Sequence, residues 1–148
     1  MKTFAELDNN NKVLNLIITE DSITEDNIYD NFDLSANGVS WKQSGNVTDY
    51  DLDNPDANFF RKRPACIGGI YDATNNVFIK EKPYNSWVLN SDYEWEPPVA
   101  MPSDASRTID GQERSIHFAW DEDNLQWKGL LPGESTFRVW NSDTSSWN

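Results

Sequence analysis

Cysteine and histidine are almost absent from this chain: Cys66 and His117 stand alone among 148 residues. One thiol cannot close an intramolecular disulfide, and it cannot supply the several thiolates of a zinc cluster. A Cys-His nucleophile would require these two side chains to meet, and nothing in their spacing brings them together. Long apolar runs are missing as well. Nowhere do about 18 apolar residues follow one another, and the start, MKTFAELDNNNK, lacks an apolar stretch of signal-peptide length. The expectation is a soluble protein made in the cytoplasm, without membrane contact. Basic residues are scarce: 12 Lys and Arg face 25 Asp and Glu, for a net charge of -13. An acidic surface repels phosphate backbones, which disfavours nucleic-acid binding. No Gly-rich phosphate loop appears, and the many carboxylates fall in no recognisable acid-base motif. The sequence therefore predicts a protein that is not an enzyme and holds no cofactor.

What is present is uneven. Residues 1–58 carry 12 acidic against 3 basic side chains, residues 59–102 carry 5 against 5, and residues 103–148 carry 8 against 4. The neutral middle is the part expected to be covered by a partner, while the acidic first third faces solvent. A chain of this length buries about 68–70% of the surface its unfolded form exposes, enough for a real core without staples.

One pattern recurs along the chain: an apolar residue, then Asp or Asn, a few polar residues, and an apolar or aromatic return. It occurs at Leu7-Asp8, Tyr71-Asp72, Leu89-Asn90, Trp120-Asp121 and Trp140-Asn141. A short Asp or Asn side chain can bond its own backbone two residues on, so each copy reads as the turn of a β-hairpin. Two copies stand back to back in Tyr71 to Pro98, where the segment between the turns is expected to form a strand shared by both, giving a meander. The spacing is unequal, which excludes a solenoid. The fold class predicted is mainly β: an antiparallel meander or small barrel-like body of hairpins with one short helix and a C-terminal hairpin extension.

In chain order, Lys2 to Leu7 and Val13 to Thr19 read as the first hairpin, with the apolar second arm central in a sheet. A helix is predicted over 24–34, with Thr24 as N-cap, Ile23 stapling against Ile28, and a stripe of Ile28, Tyr29 and Phe32 that closes one end of a sheet. Val39 to Ser44 reads as a strand. Residues 45–58 read as a polar loop in which Asp49, Asp51 and Asp53 alternate like the start of a calcium loop. The sixth and twelfth positions hold Asn54 and Phe60 in place of Gly and Glu, so no metal is expected there. Phe59, Phe60, Arg61, Lys62 and Arg63 form the one basic-aromatic cluster, which can pair internally or meet an acidic partner. Gly68-Gly69 suggests a bulge or a close backbone approach. Pro97, Pro98 and Pro102 predict an extended connector, placing a boundary near 97–113 between a body of residues 1–98 and an extension of residues 99–148. Beyond it, Ile116, Phe118 and Trp120 alternate on one strand face, and Trp127, Trp140 and Trp147 flank the last two turns.

The order FAELDNNNKVLNLII, SWKQS and FFRKRPACIGGIYDATNNVFIKEKPYNSWVLNSDYEWEPP resembles a group of small proteins encoded by marine cyanophages and related phages, regarded as virion components. The resemblance covers residues 4–98 and is densest over 59–98. It implies a non-enzymatic virion protein, foremost a capsid decoration or cement protein, next a tail or fibre attachment protein. Its partners would be other virion proteins, capsid or tail, or further copies of itself. Phe59, Phe60, Arg61, Lys62, Arg63, Trp120, Trp127, Trp140 and Trp147 are the residues expected to bind them. The alternative is a carbohydrate-binding module in which Trp95, Trp120, Trp127, Trp140 and Trp147 stack on a glycan.

Overall fold

Four successive residues of the first strand, Phe4 to Leu7, are buried, which only a central strand covered on both faces allows. In the computed structural model, which describes residues 1–45 and 60–148, β1 (Lys2–Leu7) pairs antiparallel with β2 (Val13–Thr19) on one side and β3 (Ser40–Ser44) on the other. The order is β2-β1-β3, so the apolar second arm lies outside β1 and is not central as expected. The reason is in the first arm, since Ala5 and Leu7 face one apolar cluster with Val13, Ala65, Tyr71 and Phe78, while Phe4 faces another with Ile28 and Trp41. A hairpin of β4 (Ile70–Asp72) and β5 (Val77–Ile79) completes this first unit, tied to the first turn by a bridge between Lys12 and Ile70.

The helix predicted over 24–34 shrinks to a 3-10 turn, Ile28–Asp30. Thr24 and Asn27 cap each other: the Asn27 Oδ1 accepts the Thr24 N–H at 2.7 Å and the Thr24 Oγ1 accepts the Asn27 N–H at 3.3 Å. Past that point Asn31 bonds back to the Asn27 carbonyl at 3.2 Å. Such short polar side chains compete with helical bonds, so the turn does not propagate. Its apolar stripe still covers the sheet, with Ile28 fully buried and Ile23, Phe32 and Leu34 packed around it.

Two compact units are present, Met1–Lys82 and Pro83–Asn148. The division falls earlier than the expected boundary near 97–113, and Tyr71 to Pro98 is accordingly not one meander. Its turns join two separate hairpins, β4–β5 in the first unit and β6 (Val88–Leu89) with β7 (Trp95–Glu96) in the second. Pro83, which lacks a ladder donor, interrupts the strand they were expected to share. Val77 and Ile79 are buried as a core unit requires, but Trp95 is half-buried and Val88 is exposed. The Pro-rich stretch is no free connector either: the Val99 carbonyl accepts the Trp127 Nε1–H at 3.0 Å, and Pro102 is buried.

The second unit continues with β8 (Ser106–Ile109) and β9 (Gln112–Ser115), joined by Asp110-Gly111. Both turn residues have positive φ, as a two-residue hairpin turn of the right twist demands. Then β10 (His117–Asp121), β11 (Gln126–Leu130), β12 (Arg138–Asn141) and β13 (Ser146–Trp147) form one sheet in sequence order. The molecule is thus mainly β, built of antiparallel hairpin sheets, with no closed barrel among the described residues.

The recurrent turns fall into two geometries. At Asp8 and Asn90 the side-chain Oδ1 accepts the N–H groups two and four residues on, at 2.8 to 3.0 Å, and the third residue, Asn11 or Tyr93, takes positive φ. At Asp72 and Asn141 the Oδ1 accepts the N–H groups two and three residues on, and the fourth residue, Asn76 or Ser145, takes positive φ. Asp121 shares the second spacing through Leu125, but its carboxylate accepts side-chain donors from Asn124, Gln126 and Lys128. Lys128 and Asn124 in that order, with Gln126, hold the Asp121 carboxyl far below the usual range. Gly68-Gly69 is the expected close approach: a Cβ on Gly69 would lie 2.5 Å from the Ile79 carbonyl oxygen.

Candidate partner-binding site

Two sets of residues were expected to meet partners, and the fold turns two arginines of the first and all four tryptophans of the second inward. In the basic-aromatic cluster, Phe59 lies outside the described residues, as do Asp49, Asp51 and Asp53. Phe60 and Lys62 are exposed. Arg61 is not. Its Nη1 donates to Glu25 Oε1 at 2.5 Å and to the Gln43 carbonyl at 2.7 Å, and its Nε donates to Asn76 Oδ1 at 3.0 Å. The guanidinium also lies over the rings of Phe60 and Tyr71, at 4.8 and 5.4 Å. Arg63 is 8% exposed. Arg61 therefore clips β3 to the β4–β5 turn, the internal pairing that an acidic chain offers its few cations.

Glu25 is the other half of this clip. Burial alone would raise its carboxyl, but Arg61, the Gln43 N–H at 2.7 Å and Lys42 together hold it below the ordinary carboxylate range. Arg61 and Lys62 both carry positive φ, 54° and 70°, which for residues with a Cβ costs about 1–2 kcal/mol each. The contacts of Arg61 hold that backbone in place.

The tryptophans expected to bind partners or glycans line a core. Trp120, Trp127, Trp140 and Trp147 are all buried, grouped with Ile116 and Leu131 and covered by Trp87, Val99 and Phe118. Their rings meet edge-on or tilted, 5.3 Å between Trp120 and Trp127 and 5.2 Å between Trp140 and Trp147. Two of the polar edges are satisfied inside as well, Trp120 Nε1 by Glu122 at 2.7 Å and Trp147 Nε1 by the Asp104 carbonyl at 2.9 Å. Glu122 also accepts Ser86 through both N–H and hydroxyl, at 2.8 and 2.6 Å. Residue type cannot separate a ring that presents its face from one that fills a core, and alternation with polar neighbours fits both.

The outward apolar side chains include Ile18, Phe60, Ile67 and Ile70 in the first unit, and Val88, Met101 and Phe137 in the second. Of these only Phe60 was anticipated. A groove of 520 Å³ in the second unit is lined by Arg114, His117, Leu131 and Glu134, but Glu134 is held by Arg138 in a two-pronged pair at 2.7 Å. Cys66 is exposed in the first unit and His117 belongs to the second. Among the described residues no three His, Cys, Asp or Glu side chains gather as a metal would need, and no helix is long and apolar enough to cross a membrane. The chain matches no protein-family model, no curated protein and no solved structure.

Proposed function

We propose that this protein is a non-enzymatic structural component of a phage particle, a capsid decoration or cement protein that works through protein-protein surface. The observation that carries the reading is the division of its aromatic and apolar residues: the large rings brace the hairpins from inside, while single apolar side chains stand out on them. Short hairpins with tight, hydrogen-bonded turns hold such side chains in fixed positions, as a docking surface needs. The resemblance of residues 4–98 to virion components of marine phages supplies the setting. The tryptophan faces that a glycan would stack on are buried at Trp120, Trp127, Trp140 and Trp147, which weighs against the sugar-binding alternative.

The test is incorporation into particles, read as copies per virion by mass spectrometry and as density in particle maps with and without the protein. Ile67→Asp and Phe137→Asp remove outward apolar groups that belong to none of the buried clusters, and each should lower incorporation at least severalfold. Arg61 and Arg63 are unsuitable for this purpose because charge reversal there attacks the fold itself. Full incorporation of both aspartate variants, or retention of glycan binding as the only measurable activity, would overturn the assignment.

A further inference from the structure

The two edges of the first sheet are treated differently. On β3 the outward N–H of Trp41 donates to the Tyr29 hydroxyl at 3.1 Å, the outward N–H of Gln43 to Glu25 at 2.7 Å, and the Gln43 carbonyl accepts Arg61 at 2.7 Å. Side chains thus occupy the positions a further strand would use. Because Trp41 and Gln43 point outward, their neighbours opposite, Glu6 and Phe4, point to β2, where they meet Asn15 and Ile17. Hydrogen-bonded and non-bonded pairs alternate along an antiparallel ladder, so Leu16 and Ile18 turn their backbone groups away from β1. At the start of β2 the Val13 backbone is taken by Gly68 and Gly69, at 2.9 and 2.8 Å. Among the described residues nothing takes Leu16 or Ile18.

Past the bulge that leaves Leu14 unpaired at its start, that open edge carries none of the usual guards. Natural edges are blunted by charge, proline or brevity. β2 is the longest of the described strands, seven residues reading VLNLIIT, and every other described strand longer than three residues bears a charge. Ile18 is 68% exposed and Met1 79% exposed beside it, and a groove of 490 Å³ formed with Ile23 and Phe32 opens at the same end.

We propose that the β2 edge at Leu16 and Ile18 is a homodimerisation edge, on which a second copy of this chain adds its own β2 antiparallel to form one continuous sheet. A two-fold axis at Ile17 sets Leu16 opposite Ile18 of the second copy and Asn15 opposite Thr19. Within Asn15 to Thr19 every pair is then uncharged, and the outward backbone groups of Leu16 and Ile18 in the two strands satisfy one another. A second copy is the occupant that this strand fits, since self-pairing is symmetric by construction and brings no like charges face to face. A partner chosen by charge would find nothing here to recognise. The sealed β3 edge makes the assembly stop at two copies instead of growing. The inference rests on the first unit alone and stands apart from the virion reading.

Sedimentation of the full chain tests it. At about 0.1 mM the wild type should contain dimer, more of it as salt screens the repulsion between two copies of charge -13. Ile18→Lys and Ile18→Pro, which add charge or delete the outward donor at an exposed site, should each weaken dimerisation at least about tenfold, with unchanged circular dichroism. Amide exchange of Leu16 and Ile18 in the wild type, which needs no variant, should slow with rising concentration. A chain that stays monomeric, a dimer that Ile18→Lys leaves intact, or a dimer in which those two amides exchange freely would each overturn the proposal.

Discussion

Two ways of stabilising hairpins stand side by side in this chain. The first unit is a sheet covered on both faces, with polar side chains sealing its outer strand: Glu25, Tyr29 and Arg61 all bond the β3 backbone. The second unit has short strands, which alone would be marginal, and large rings compensate for their length by packing edge-on or tilted across the ladder, Trp120 opposite Trp127 and Trp140 opposite Trp147. One unit relies on electrostatics at its edge and the other on aromatic area in its middle. They should therefore fail under different insults.

The largest effect is expected from the rings. Trp127→Ala should cost about 3–5 kcal/mol, read as lost amide protection within residues 83–148. A cost below about 1 kcal/mol, the level of a routine point substitution, would show that the rings do not hold this unit. Arg61→Met comes next, at about 2 kcal/mol for hydrogen bonds to charged groups. Here pH sharpens the contrast. Glu25 has a folded-state pKa below its unfolded one, so its contribution is complete above the ordinary glutamate value, about 4.3, and fades as pH falls through the depressed value. Denaturant melts of wild type and Arg61→Met should therefore converge on acidification. A gap that stays constant with pH would mean the clip works by packing and not by charge.

Gly129→Ala should cost about 1–3 kcal/mol by overpacking, because the new Cβ would lie 2.6 Å from Cη2 of the Trp147 ring. The ring is rigid and pinned at its Nε1, so it cannot yield cheaply; a neutral melt would show otherwise. The smallest expected change is a gain. Leu125 sits at φ 52° on an exposed turn, and Leu125→Gly should stabilise by up to about 1 kcal/mol. If thermal melting shows a loss instead, the Leu125 side chain is making contacts that outweigh its backbone strain.

Turn chemistry was legible in the sequence because it is local: Asp8, Asp72, Asn90 and Asn141 each bond backbone within four residues. Strand order was not. Val13–Thr19 is the more apolar arm, yet Lys2–Leu7 is central, since what covers Phe4 comes from Ile28 and Trp41, far along the chain. The helix over 24–34 failed for a reason visible only in competition, where Asn27 and Asn31 favour local bonds over helical ones. For the expected site, the residue types were right for contact but the contact is internal. A buried Trp and a presented one carry the same letter, and the Glu25 partner that claims Arg61 lies 36 residues away. The apolar β2 edge was readable as a strand without charge, but only its position beside β1 gives that absence a meaning.

The place of β1 also bears on how the chain acquires its structure. In the second unit each of β10 to β13 pairs with its neighbour in sequence, so contacts are local and closure entropy is small. β1 is both first and central, and its pairing of Thr3 with Ser44 spans most of the early chain. A nascent polypeptide can zip β1 to β2 at once, yet must wait for β3 before the second edge of β1 is satisfied, and for Arg61 before that strand is clipped. High contact order slows folding, so the first unit should emerge from the ribosome earlier and finish later than its position suggests. During that interval β1 is an unpaired edge.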